Sequence, residues 1–109
     1  MKVVKRPWGL FKQFVLNKKC TVKILELKTG EELSLQVHKK REENWYFLDD
    51  AIVQIRNKKR KVHEGDIIKI RKGTPHRIIA GNKKARILEI SFGDFNEKDE
   101  MRLEDKYGR

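Results

Sequence analysis

Gln36, His38, Glu43 and His76 carry donor atoms that suit a single cation. Gln36 and His38 share the segment "LSLQVH", Glu43 follows in "REENW", and His76 comes directly after the Gly/Pro turn of "KGTPHR". An amide oxygen, two imidazole nitrogens and a carboxylate oxygen form a donor set for a divalent first-row metal. The single cysteine, Cys20, allows neither an internal disulfide nor a thiolate cluster. Without cysteine ligands a closed structural zinc site gives way to an open one, which keeps a position for a small molecule. Polar residues on a strand more commonly just face water. His63, between a basic turn and Glu64-Gly65, is read that way, as a surface histidine with no role.

The elements that must position these donors read as strands. Leu33, Leu35 and Val37 alternate with Ser34, Gln36 and His38, which puts the two sets on opposite faces. The polar face should meet water, yet the segment runs on to Trp45, Tyr46 and Phe47 in a chain that is only 8% aromatic. A barrel whose interior is lined by Gln36 and His38 accounts for both features. Strand-like runs are "GLFKQFVL", "CTVKILELK", "LSLQVH", "NWYFLD", "AIVQIR", "RKVH", "DIIKI", "HRIIA" and "ARILEISF". Turn signals separate them at Thr29-Gly30, Asp49-Asp50, Glu64-Gly65, Gly73-Thr74-Pro75 and Gly81-Asn82. Short strands at this spacing, without helix-period segments between them, predict an antiparallel sandwich or barrel. Only the tail "NEKDEMRLEDKYGR", with Asn96 as N-cap, is expected to turn helical. Trp8 and Trp45 are expected in the core. No linker or repeat interrupts the chain, so residues 1–109 are read as one domain.

Composition narrows the classes of function. A chain of 109 residues supports one modest core, and 39% charged against 38% hydrophobic residues fits a globular domain. No apolar run approaches the roughly 20 residues that span a bilayer, so no membrane partner is expected. "MKVVKRPWG" lacks the apolar stretch of a signal peptide, which predicts a cytoplasmic location. The net charge of +11 raises nucleic acid as a partner, and "NKKRKVHEG" is its most basic patch. Asn57-Lys58-Lys59, however, reads as a charged hairpin loop between two strands. No aromatics interleave with the lysines as stacking platforms, so no nucleic-acid partner is expected. A basic surface equally attracts small anions such as sugar phosphates.

The glycine spacing around the donors resembles the cupin motifs. Gly30 is followed by five residues, then Gln36-Val37-His38, four residues and Glu43; Gly65 and Gly73 lead into His76. The departures are Gln36 for the first His, Asp50 for the closing Gly, Arg71 for the usual Pro and Ala80 for the usual Asn. "RPWG", "LSLQVHKKREENW", "GTPHR" and "RLEDKYGR" together resemble the type II mannose-6-phosphate isomerase domain, which often forms the C-terminal part of a bifunctional mannose-1-phosphate guanylyltransferase. That family carries Gln-x-His where other cupins carry His-x-His. Lys39 and Lys40 stand where it often has histidines, and Asn44 replaces the His of its Glu-His-Trp. The chain holds no Gly-rich phosphate loop, so it is read as the isomerase-like module alone.

The resemblance implies an all-β fold, a small antiparallel double-sheet barrel of jelly-roll type. It implies one divalent metal on Gln36, His38, Glu43 and His76, zinc foremost, with manganese, nickel, cobalt or iron also suited. The implied reaction interconverts mannose 6-phosphate and fructose 6-phosphate through an enediolate. A phosphate needs a cation, ideally a bidentate arginine. Arg41 and Arg77 lie beside the ligands in sequence; Arg102 and Arg109 in the tail, and Lys39 and Lys40, are further candidates. No residue identifies itself as the catalytic base. Two other readings stand beside the isomerase. One is a non-catalytic metal cupin that binds a sugar or sugar phosphate. The other is an iron oxygenase on His38, Glu43 and His76, against which Gln36 argues by filling a position that oxygen would need. The Leu33, Leu35 and Val37 face needs a cover, which "GLFKQFVL" supplies within the chain or across a two-fold axis; a homodimer is expected, as is common among cupins.

Overall fold

The computed structural model of the chain describes residues 1–108, which contain eleven strands and no helix. In chain order they are β1 Lys2–Arg6, β2 Gly9–Gln13, β3 Cys20–Leu27, β4 Leu35–Val37, β5 Glu43–Phe47, β6 Ala51–Ile55, β7 Lys58–Val62, β8 Ile67–Ile70, β9 His76–Ile79, β10 Ala85–Phe92 and β11 Met101–Glu104. β3, β10, β5 and β8 form a four-stranded sheet, and β11, β4, β9, β6 and β7 a five-stranded one. Every pairing is antiparallel. The all-β double-sheet expectation therefore holds.

The inner faces of the two sheets make one core. Leu27, Trp45, Phe47, Ile68, Ile70, Ala85 and Ile87 come from the four-stranded side; Ala51, Val53, Val62 and Ile78 come from the other. Phe47, Val53, Ile78 and Ile87 are fully enclosed. Strand alternation explains which residues enter: on β10, Ala85, Ile87, Glu89 and Ser91 point inward while Arg86, Leu88, Ile90 and Phe92 lie on the opposite face.

Three sequence expectations are corrected. The tail is not helical: Met101–Glu104 pairs with β4 as the edge strand of its sheet. The Asn96 side chain, expected to cap a helix, accepts the Lys98 amide at 2.9 Å and so closes a local turn. Trp8 is 72% exposed, because it sits in the turn of a separate β1–β2 hairpin instead of in the core. Within the chain the N-terminal strand does not cover β4: β1 and β2 pair with each other, and Phe14 lies edge-on to Tyr46 on the outer face of the four-stranded sheet. Leu33 packs against the main core directly.

Candidate metal centre

Three strand ends converge at one end of the barrel. β4 and the residue after it bring in His38, the first residue of β5 is Glu43, and the first residue of β9 is His76. All three side chains are at least 97% buried. His38 Nε2 lies 3.6 Å and His76 Nε2 3.4 Å from Glu43 Oε1. Gly73 sets one side of this arrangement: its φ of +75° admits the turn before β9, and its amide donates to the His38 carbonyl at 2.8 Å.

The outer ring nitrogens are already committed. His38 Nδ1 donates to the Asp99 carbonyl at 2.6 Å, and His76 Nδ1 to the Thr74 carbonyl at 2.7 Å. A carbonyl only accepts, so each Nδ1 carries the proton and each Nε2 is the acceptor nitrogen; that of His38 accepts from Arg41 Nη2 at 3.2 Å. The three donor atoms lie within 4.8 Å of one another. Bonds of about 2.1 Å to a common ion would set adjacent donors about 3–3.5 Å apart, so the residues fit a divalent metal. Gln36 stands opposite His76 in the β4–β9 register and is half-buried. Its amide nitrogen donates to Ser34 Oγ at 2.8 Å, which leaves its oxygen as the end able to bind an ion.

Electrostatics divide the acids of this end. Burial pushes the Glu43 carboxyl up, but His76, His38 and Arg41 outweigh it and hold Glu43 well below the ordinary range. Ser91 Oγ also donates to Glu43 Oε2 at 3.1 Å. Glu89, two residues along the same inner face of β10, moves the other way. Burial first, and then the negative charge of Glu43, push its carboxyl up to about 7. Burial likewise holds the His38 imidazole below the ordinary histidine value, so the ring stays neutral as a ligand must.

The candidate anion-binding residues separate. Arg41 is in the cluster: Nη2 lies 3.2 Å from His38 Nε2, Nε 3.4 Å from Glu43 Oε2, and Nη1 donates to the Asn96 carbonyl at 3.1 Å. Its Nε is buried without a hydrogen-bond acceptor among the described residues. Arg77 goes elsewhere. It neighbours His76 on a strand, so its side chain leaves by the opposite face, where Nε donates to Gln54 Oε1 at 2.8 Å and the guanidinium pairs with Glu104 and Glu32. Arg102 is opposite Gln36 in the β11–β4 register and pairs with Glu100 at 2.9 Å. Lys39 and Lys40 are exposed and meet Asp99 through their amides. Arg109 lies outside the described residues. His63 is exposed, beside Asp50 and away from the cluster.

Sequence reasoning missed Glu89, Ser91 and Asp99. No spacing rule marks them, because they join the site only through strand register and a long return of the chain.

A double-sheet antiparallel barrel with a buried His/Glu donor cluster at one end is a cupin. A Cupin 2 conserved barrel domain protein from Salinispora arenicola matches with a TM-score of 0.64 over 76% of this chain and 71% of that chain, at 14% identity. That likeness shows the fold. The family described as Mannose-6-phosphate isomerase C-terminal matches residues 1–105, and the chain belongs to it. Mannose-1-phosphate guanylyltransferase ManC of Salmonella typhimurium is 33% identical over 97% of this chain. The alginate biosynthesis protein AlgA of Pseudomonas aeruginosa is also 33% identical over 97% of this chain. The chain spans 23% of the length of each of these relatives. Among the described residues no helix is long and apolar enough to cross a membrane.

Proposed function

We propose that this chain is a metal-dependent isomerase domain that interconverts mannose 6-phosphate and fructose 6-phosphate. The observation that carries the reading is the buried His38–Glu43–His76 cluster with a carboxyl of raised pKa, Glu89, on the same inner face. His38, Glu43 and His76, with Gln36 as fourth donor, would hold one divalent ion, zinc first among the candidates. Such an ion, when bound, polarises a carbonyl and stabilises negative charge on the oxygens of an enediolate.

The chain's own residues supply the rest. Glu89, as carboxylate, takes the proton from C2 of the aldose and returns it to C1, while the hydroxyl proton passes from O2 to O1. A carboxyl poised near neutrality suits both halves of that transfer. Arg41 binds the anionic end of the substrate, its guanidinium being the cation that stands within the cluster. Arg77 is left out of this role because its guanidinium is held on the other face.

The test is turnover of mannose 6-phosphate by protein stripped with a chelator and reloaded with each metal in turn. Conversion is expected, with unphosphorylated mannose a much poorer substrate. Arg41→Ala should lower kcat/KM tenfold or more on the phosphorylated sugar, since breaking a desolvated charge pair costs about 2–5 kcal/mol. His38→Ala and His76→Ala should abolish stoichiometric metal binding, and His63→Ala should not; equal loss from all three would overturn the ligand set. Absence of turnover with every metal, while mannose 6-phosphate still raises Tm, would replace the enzyme with a sugar-phosphate-binding module.

A second copy as partner and a cytoplasmic location complete the proposal. The dimer is supported by the β1–β2 hairpin, a two-stranded sheet with exposed Val3, Leu10 and Phe11, and by exposed Val22 and Ile24 on the edge strand β3. A two-stranded hairpin is marginal by itself, and these apolar residues would gain a cover from the same surface of a second chain. Light scattering at micromolar concentration that gives a monomer would refute it.

A further inference from the structure

The segment that returns from β10 to β11 meets the loop between two of the proposed ligands at several points. The Asp99 carbonyl accepts His38 Nδ1–H at 2.6 Å. Its Oδ1 accepts the Lys39 amide and its Oδ2 the Lys40 amide, each at 3.0 Å. Three residues earlier, the Asn96 carbonyl accepts from Arg41, whose guanidinium lies 4.5 Å from the Phe95 ring centroid. Residues 38–42 lie outside the strands; the Gly73 amide holds the His38 carbonyl at one end and the Phe92 amide the Glu42 carbonyl at the other. Between those ends, the Lys39 and Lys40 amides and the Arg41 side chain are held by this returning segment.

We infer that Asp99 is a positioning residue for the metal centre: one residue fixes both the ring of His38 and the two amides that follow it. The inference rests on the ligand set proposed above. The carbonyl holds the proton of His38 on Nδ1, the tautomer that Arg41 also favours by donating to Nε2, and the carboxylate holds the loop so that this carbonyl stays in reach. Partners that orient a ligating imidazole in this way typically account for about 10–100-fold in metal affinity. The lysines of the loop act through their backbone amides, so their side chains are dispensable for this task.

Zinc titration of the full chain against a competing chelator tests the inference. Asp99→Ala should weaken zinc binding by about 10–100-fold. Asp99→Asn, which retains one oxygen acceptor, should fall between the two proteins. Glu97→Ala provides the control: it lies in the same segment, its carboxylate is 3.6 Å from Lys23 Nζ, and it should bind zinc within about twofold of the parent. A second readout uses metal-free protein. Nitrogen-15 spectra of the His38 ring should show the Nδ1–H tautomer in the parent and an averaged ring in Asp99→Ala. Equal zinc affinity in Asp99→Ala and Glu97→Ala would overturn the inference, as would weakened zinc binding with an unchanged tautomer. If the parent itself binds no zinc, the ligand set fails; the ring spectra then decide on Asp99 by themselves. If Asp99→Ala does not fold, Asp99→Asn decides by the same two readouts.

Discussion

The two ends of the barrel are built by the same strands and do opposite things. Along the inner face of β5 the chain passes from Glu43 through Trp45 to Phe47; along β9 it passes from His76 to Ile78. β10 runs the other way, from Ala85 and Ile87 to Glu89 and Ser91. One end is thus entirely apolar, and the other collects two carboxyls, two imidazoles and a guanidinium out of water. Burying those charges costs free energy that their mutual pairing only partly offsets. The apolar end must supply the stability that holds the polar end in place. Such local conflict between burial and polarity is characteristic of a functional site.

Substitutions at the two ends should therefore read out differently. The largest expected effect is at the apolar end: Phe47→Ala, at a fully enclosed side chain, should cost about 3–5 kcal/mol in denaturant unfolding. A loss below about 1 kcal/mol would mean that this end is not the anchor. Glu89→Gln probes the polar end in metal-free protein. Its folded pKa of about 7 lies above the ordinary value of 4.5, so the protonated carboxyl favours the folded state below pH 4.5. That contribution is lost as pH rises through 7. Tm of Glu89→Gln should match the parent near pH 5 and exceed it at pH 8. A constant difference across that range would place Glu89 in a wetter setting than the structure gives it. The smallest effect is expected from Asn44→His. Asn44 neighbours Glu43 but lies on the outer face with Lys69, Phe14 and Phe92, so zinc affinity and turnover should change by less than about twofold. A larger change would blur the separation between inside and outside.

The same geometry explains what could be read in the sequence. His38, Glu43 and His76 were legible because turn glycines fix their spacing, and the period of two placed Gln36 with His38. Arg77 was legible too, had that period been applied: a residue next to an inward His76 must point out. Glu89 was hidden because both faces of "ARILEISF" carry apolar residues. Leu88, Ile90 and Phe92 make the more hydrophobic face, yet that face points away from the barrel interior, with Ile90 buried there. Trp8 misled because an aromatic side chain suggests a core, whereas the hairpin that carries it has none. Strand β11 was overlooked: in "EMRLED" Met101 and Leu103 alternate with Glu100, Arg102 and Glu104, but the pattern is short and lies in a charged tail that reads as a helix.

That pairing has a consequence for how the protein matures on the ribosome. β4 has three residues, and its other edge meets β9 at the single pair Gln36–His76. Its second neighbour, β11, is synthesised more than 60 residues later, as is Asp99. At about 5–20 residues per second, the strand beside His38 waits several seconds for its partner. Late in that interval the nascent chain has both histidines and Glu43 but still lacks the tail that fixes His38. The loop after His38 is thus fixed only once residues 99–104 have left the exit tunnel.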